Sequence, residues 1–560
     1  MLLLALHLMW AALTSATCYE PSVAHPLPEY DADDVLLKRV FAFIDTALTT
    51  TAAAPEYAST SFSVEVTSSK ESLWSYHHTA RVRNASRHDI PEVNGDALYR
   101  IASVTKSFTV LGVLYQHVAG NLSLDDSIDT YIEELKGEQE GTIPWKDITL
   151  RTLASQLSGI PSDFIAQSDL INRPFDFPYT PEELGFPPAS RDDLMKSVKS
   201  RAPVFAPNQK STYSNLAFEL LGLAIENATN QTYESYINDA IFKPLNMTKS
   251  SLSKPPDSAG IIPFEPHYWG VDVGIQSPTG GIYSSTTDLS KYLRYILTHY
   301  NGITSAANWA HPASPSRGLN SFYGMPWEIY QTDRILQKSR RTVRFITKAG
   351  GLPGYSSIIM TVPEYDLGIT ILLAANNDIF GKIQELVTVE VVRAAEQIAI
   401  QQLQKRYTGT FASAEPDLNS SVTLVADHRG LVVIEFISNS TDFTNSDLMK
   451  YIGAPRDGRY YVQLVPTLLH RDEKAKLGEL WRFVVTAERK NGDQDIWDDF
   501  CITNIESPTY ANVPINEVAF WNGKGKAFDT LELSAFRTNL SRTDDSKTEL
   551  KPEYQIVMEL

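Results

Sequence analysis

The segment YRIASVTKSFTVLGVLYQHVAG, residues 99–120, leaves few choices for its fold. From Val104 onward Val104, Phe108, Val110, Leu111, Val113, Leu114 and Val118 fall on almost every helical face, and Gly120 supplies a stop. A helix that is apolar nearly all round belongs inside a core. Yet Ser103 stands at its start and Lys106 one turn later, on the same face. A serine at the N-terminus of a buried helix has an unsatisfied N–H and the positive end of the helix dipole beneath it. Burial pushes a lysine towards the neutral amine, which can take a proton. Together these groups can make a hydroxyl nucleophilic. A helix-capping serine with a lysine that snorkels to the surface accounts for the same residues equally well.

The chain has 560 residues, more than one ordinary domain, and its 43% hydrophobic content is that of a well-packed globular protein. Residues 18–34, Pro-rich and acidic, read as an extended arm. A catalytic domain is expected over 35–404. Helical periodicity begins near Asp34, TSFSVEV and SLWSYHH read as a β-hairpin, and YSNLAFELLGLAIENAT as a helix from about Ser214. TVRFITKA, GYSSIIMTV and LGITILLAA read as an antiparallel meander, followed by a helix over GKIQELVTVEVVRAAEQIAIQQL. Short alternating segments over 405–545 predict an all-β domain, a sandwich or a small barrel, and 546–560 a loose tail.

The N-terminus, MLLLALHLMWAALTSATC, has an apolar run and then small residues. It reads as a cleaved signal peptide over 1–17, too short to span a bilayer, and no other segment is long enough. Asn84, Asn121, Asn227, Asn230, Asn246, Asn419, Asn439 and Asn539 each begin an N-x-S/T glycosylation sequon, which fits passage through a secretory pathway. Cys18 and Cys501 could pair in an oxidising compartment if cleavage falls before Cys18. Otherwise Cys18 leaves with the leader and Cys501 is a buried thiol. The net charge of −18 argues against nucleic acid and anionic membrane surfaces as partners. Oligomeric state is not legible.

Ser-x-x-Lys recurs at Ser251–Lys254, but Pro255 and Pro256 follow it and no helix opens there. Two other stretches add to the copy at Ser103. KSTYSNLAFELLG puts Tyr213 and Asn215 at the start of an apolar helix, and TVRFITKAGGLPGYSS puts Lys348, Ala349 and Gly350 at the end of a strand. In the order S-x-x-K, Y-x-N, K-x-G the chain resembles the penicillin-recognising serine hydrolases: class C β-lactamases, DD-peptidases and related esterases. LSGIPSDF, IFKPLNMTKS, TGGIYSSTTDLSKYL and GYSSIIMTVPEYDLGITILLAANN resemble that family too. The whole arrangement, with Cys18 and the β-rich C-terminal region, is similar to secreted fungal β-lactamase-like proteins.

The resemblance implies an α+β fold in which an antiparallel sheet is flanked by helices and a helical subdomain. It implies Ser103 as the acylated nucleophile, Lys106 as acceptor of its proton, and Tyr213 as a second base and acid. Asn215 would orient Lys106 and bind a substrate amide. Lys348 would raise the positive potential near Tyr213, and the N–H groups of Ser103 and Gly351 would form the oxyanion hole. Members that take β-lactams commonly carry Thr or Ser where this chain has Ala349, and that hydroxyl contacts the substrate carboxylate. The acyl-transfer machinery is complete here, while recognition of that carboxylate is in question. The substrates implied are small esters or amides, and no cofactor or metal is called for. Transfer of the acyl group to another acceptor in a secondary-metabolite pathway, or a silent binding protein of the same fold, would use the same residues. No G-x-S-x-G or H-E-x-x-H motif offers another chemistry. His77 and His78 sit in an alternating segment and read as strand surface.

Overall fold

Asp34 opens the first helix, α1 (Val35–Ala52), by accepting hydrogen bonds from the N–H groups of Leu36 and Leu37. Such a cap is worth about 1 kcal/mol. Leu37, Phe41, Ile44 and Leu48 recur at helical spacing and are all buried. Each contributes roughly 1.5–3 kcal/mol by leaving water. Phe41 stacks on Trp74, with centroids 5.4 Å apart, and the Trp74 indole N–H donates to Asp45. In this computed structural model the described residues are 24–543, apart from 32, 138–140, 164–187, 265–267, 304–308, 376, 416, 448–458, 489–504, 506–507 and 524–526. The signal peptide, Cys18, Cys501 and the tail therefore lie outside them. No helix among the described residues is long and apolar enough to cross a membrane.

Two compact units emerge: residues 30–332 with 343–392, and residues 1–29 with 333–342 and 393–560. The first is built on an eight-stranded sheet. Its strands are β1 (Ser61–Thr67), β2 (Ser72–His78), β3 (Ser314–Pro315), β4 (Ser321–Tyr323), β5 (Glu328–Thr332), β6 (Val343–Leu352), β7 (Tyr355–Val362) and β8 (Leu367–Ala374). Their order is β2-β1-β8-β7-β6-β5-β4-β3, antiparallel throughout. The expected hairpin and meander are both present. β1 and β8 are buried along their whole length; β8, LGITILLA, is accordingly apolar almost throughout, whereas β1, SFSVEVT, keeps its alternation.

The apolar segment that opens this section is helix α2 (Thr105–Val118), preceded by a 3₁₀ turn at Ala102–Val104. Its residues Thr105 to Leu114 are all buried. With α3 (Leu216–Thr229) and α4 (Thr286–Ile303) it contributes to one continuous core, in which Phe108 stacks on Tyr292 at 4.0 Å. The long helix α5 (Phe380–Arg406) follows the sheet, and the division between the units falls within it, at Val392–Arg393.

The second unit resolves the choice between sandwich and barrel. Its strands are β9 (Gly409–Ala412), β10 (Ser421–Asp427), β11 (Gly430–Ser438), β12 (Tyr460–Asp472), β13 (Leu477–Ala487), β14 (Glu517–Trp521), β15 (Thr530–Leu533) and β16 (Thr538–Arg542). They pair antiparallel in the ring β10-β9-β16-β15-β14-β13-β12-β11, and β11 closes on β10; a ninth, two-residue strand, Thr441–Asp442, pairs with the end of β11. The unit is a barrel. β10 alternates buried and half-buried residues, with Val422, Leu424 and Ala426 inward, as closure requires. Tyr407, Phe411, Trp481, Phe520 and Phe528 fill one part of its interior in mutual ring contact.

Candidate active site

Four segments of the first unit converge at the start of α2. Ser103 lies in the 3₁₀ turn and is partly exposed, whereas Lys106, one turn into the helix, is completely buried. The Lys106 ammonium donates to Ser103 Oγ at 2.9 Å and to the Thr279 carbonyl at 2.9 Å. The pair at Ser103 is therefore no cap with a snorkelling lysine: Ser103 makes no capping bond to the helix, and Lys106 points inward. Ala102 holds φ at +47°. That left-handed geometry costs a non-glycine residue of order 1–2 kcal/mol and turns the chain sharply before the serine.

The second segment is a short helix, Ser277–Gly280, whose Thr279 carbonyl faces Lys106 and whose Thr279 hydroxyl donates to the Asn215 carbonyl. The third carries Tyr213 and Asn215 at the entry to α3. It is tied to the LSGIPSD stretch: Ser214 N–H donates to Gln156 Oε1, Ser214 Oγ to the Pro161 carbonyl, and Asn215 N–H to the Ser162 carbonyl. Lys106 Nζ lies 5.2 Å and Lys348 Nζ 5.3 Å from the centre of the Tyr213 ring.

The fourth is β6. Lys348, 1% exposed, donates to Glu328 Oε1 at 2.5 Å and to the Ala349 carbonyl at 2.7 Å, while Ala349 N–H donates to Glu328 Oε2 at 2.9 Å. Gly350 presses on the nucleophile turn: a Cβ there would meet Ile101 O at 2.4 Å and Ser103 N at 2.9 Å. Gly351 faces open space, with nothing within 4 Å of the same position.

The electrostatics separate the two lysines. Burial pushes the Lys106 pKa down; Tyr213 partly opposes this, and the Lys348 charge adds to it. Burial also acts against the Lys348 charge, but Glu328 and Tyr213 outweigh it and raise its pKa. The same burial thus leaves the two ammonium groups shifted in opposite directions, because only Lys348 has a carboxylate paired with it. Burial disfavours the Tyr213 phenolate, yet Lys348 and then Lys106 overcome this and lower its pKa, with a hydrogen bond to Ser103 adding in the same direction.

Ser103, Lys106, Tyr213, Lys348, Ala349, Gly350 and Gly351 are thus brought to one place. Asn215 comes with them; its amide N–H donates to Asp163 Oδ1 at 2.8 Å, and the hydrogen bonds that Lys106 donates go to Ser103 and Thr279 rather than to Asn215. The acceptor that orients Lys106 is Thr279, a backbone carbonyl and so invisible to side-chain motifs. Glu328 was not anticipated either; it sits in an ordinary alternating strand. Beneath the site Glu219 is fully buried, and neither of its carboxyl oxygens has a hydrogen-bond partner among the described residues. Burial, with Asp163 nearby, pushes its pKa up to about 8. The second Ser-x-x-Lys is elsewhere: Ser251 Oγ bonds the Ser253 carbonyl and Lys254 pairs with Asp257. His77 and His78 are half-buried in β2, a strand with no fully buried residue, and His77 Nδ1 lies 3.1 Å from Ser63 Oγ.

Residues 56–386 match the β-lactamase family, and residues 399–544 match a family described as "Beta-lactamase-like-like, C-terminal domain". The chain belongs to the β-lactamase family. It is 31% identical over 542 residues to a protein of Phoma sp. named "Probable hydrolase M10", covering 90% of this chain and 88% of that one. It is 30% identical to "Probable hydrolase clz13" of Cochliobolus lunatus, over 94% and 92% of the two chains. A "Beta-lactamase-like protein" of Arthroderma benhamiae is 31% identical over 69% and 67%. Among solved structures, a class C β-lactamase aligns at 18% identity with a TM-score of 0.49, over 64% of this chain and 99% of that one.

Proposed function

We propose that this chain is a secreted serine hydrolase that cleaves small esters or amides through an acyl-enzyme on Ser103. The observation that carries the reading is the 2.9 Å bond between a buried Lys106 of lowered pKa and the Ser103 hydroxyl. Ser103 Oγ attacks the acyl carbonyl carbon and gives its proton to neutral Lys106. The N–H groups of Ser103 and Gly351 hold the oxyanion; each such donor is worth roughly 3 kcal/mol in the transition state. The open surroundings of Gly351 leave room for a substrate carbonyl. Lys106 hands that proton to the Tyr213 phenolate, and as the bond to the leaving group breaks Tyr213 delivers it there and is phenolate again. Tyr213 then takes a proton from water, the water oxygen attacks the acyl carbon, and as the Ser103 ester bond breaks that proton returns through Lys106 to Ser103 Oγ. Secretion is supported by the apolar N-terminal run and by the sequon asparagines, of which seven of eight are exposed and Asn84 half-buried.

The test is a fluorophosphonate probe on the purified protein, followed by peptide mapping. The expected adduct is on the Ser103 peptide, absent in Ser103→Ala together with ester turnover. An adduct on another serine, or turnover that survives Ser103→Ala, rejects the mechanism. N-terminal sequencing of protein recovered from the medium tests the leader.

A further inference from the structure

An ammonium group has three N–H donors. Two of those of Lys348 are committed, one to Glu328 Oε1 at 2.5 Å and one to the Ala349 carbonyl at 2.7 Å, and Nζ lies 5.3 Å from the centre of the Tyr213 ring. The next donor along the same strand edge, Ala349 N–H, is also taken, by Glu328 Oε2 at 2.9 Å. One carboxylate therefore bridges the cation and the adjacent backbone N–H, as an incoming carboxylate would. The register explains why it can. Glu328 on β5 stands opposite Thr347 on β6, and the Thr347 hydroxyl donates to the Glu328 carbonyl at 2.7 Å, which pins the pair of strands.

Two further observations bear on what the site admits. Residue 349 is alanine and offers no hydroxyl to replace the occupied donors. The Glu328 side chain is 30% exposed, whereas that of Lys348 is 1% exposed, so the carboxylate rather than the ammonium is the member of the pair that solvent reaches. Tyr323 on β4, opposite Glu328 in register, lies near enough to Glu328, Tyr213 and Lys348 to feel all three. That edge is thus an aromatic ring beside a neutralised ion pair.

We propose that Glu328 is a specificity-determining residue: it occupies from within the chain the donors on Lys348 and Ala349 that a substrate carboxylate would need, so the site selects acyl donors that are neutral beside the scissile bond. A carboxylate entering this edge would have to displace Glu328 or lie against its charge. The inference rests on the reading of Ser103 as nucleophile and adds the substrate class to it. It also gives Glu328 a role that a structural clamp on β5 and β6 would not have.

The experiment compares two substrates on the full chain: methyl p-nitrophenyl glutarate, which is neutral, and p-nitrophenyl hydrogen glutarate, which differs by a free carboxylate. The wild type should favour the neutral ester by roughly tenfold or more in kcat/KM. Glu328→Gln, which keeps the shape and removes the charge, should raise the anionic-to-neutral ratio by roughly tenfold, while Glu328→Asp retains the wild-type preference. The acid limb of kcat/KM should move to lower pH in Glu328→Gln. Tyr213 would then face Lys348 and Lys106 without the carboxylate that opposes them. A ratio unchanged in Glu328→Gln, with Ser103 still labelled by fluorophosphonate, overturns this inference and leaves the mechanism standing. If Glu328→Gln does not fold, the wild-type ratio decides: a value near or above one overturns it. Failure of Ser103 to label removes the mechanism, and this inference with it.

Discussion

Gly350 on β6 lies so close to Ser103 that a single added methyl would stand 2.9 Å from the serine nitrogen. The neighbouring Ile101 carbonyl, 2.4 Å from the same point, is backbone and cannot swing aside. Gly350→Ala should therefore push the strand off the nucleophile turn. We expect a loss of 1–3 kcal/mol in stability, by order of magnitude, and a fall of at least about 100-fold in the rate of Ser103 labelling, comparable to losing one oxyanion donor. Gly351→Ala meets nothing within 4 Å and should unfold within a degree or two of the wild type, about the spread for surface changes. Thermal unfolding and fluorophosphonate labelling of the two variants separate the positions. Equal effects would show that contact with the turn is not what matters.

Lys106→Ala should lower ester turnover by roughly 10²- to 10⁴-fold, the range for a positioned proton acceptor. The fold should persist, because the change removes a completely buried ammonium group whose partners are Ser103 and the Thr279 carbonyl. Circular dichroism and steady-state kinetics check both halves of the statement; retained turnover would remove Lys106 from the proton path.

In the wild type kcat/KM should rise with pH. The active forms of Lys106 and Tyr213 are the deprotonated ones, so activity is present above their folded pKa values and lost as pH falls through them. Both are lowered, Lys106 first by burial and Tyr213 by the two lysines against the effect of burial. The acid limb should consequently lie below the ordinary lysine and tyrosine range. Tyr213→Phe should lose roughly 10²- to 10⁴-fold. A pH profile with full activity in Tyr213→Phe at every pH would exclude the second-base role.

Glu219 offers a stability prediction with a definite sign. Its folded pKa, about 8, is above its ordinary value, so the folded state holds the proton more tightly than the unfolded chain. The carboxyl carries no penalty below about pH 4.5 and a growing one up to about pH 8, where it reaches on the order of 4–5 kcal/mol. Glu219→Gln removes the titration. Its melting temperature relative to the wild type should increase from pH 5 to pH 8, as read by thermal unfolding at both. A constant difference would mean that Glu219 is ionised throughout.

Much of this molecule can be read from local pattern. Asp34 before VLLKRVFAFI and the apolar run after Ser103 each specify an element and its buried face, and the alternation in SLWSYHH specifies a strand. The three motifs identify the residues that meet, because each places a polar group at the end of an otherwise apolar element. What stays hidden is whatever depends on register or backbone. Glu328 acts because β5 pairs with β6 in one register, and a shift by one residue would turn it to the other face. Thr279 acts through its carbonyl, which every residue has. The amide of Asn215 could reach several neighbours, and only the approach of Asp163 selects one. Alternation over 405–545 is equally compatible with two stacked sheets or one closed sheet; the pairing of β10 with β11 decides for the barrel.

That closure has a consequence for how the chain meets other chains. Each of the eight barrel strands already has a neighbour on both sides, so none presents a row of unpaired N–H and C=O groups to a foreign strand. The eight-stranded sheet of the first unit does have ends, at β2 and at the two-residue β3, and β3 contains Pro315, which cannot donate. The two-residue strand Thr441–Asp442, which pairs on β11 outside the ring, is too short to template much, so among the described strands addition by another protein or by a second copy during misfolding is steered to the seven residues of β2.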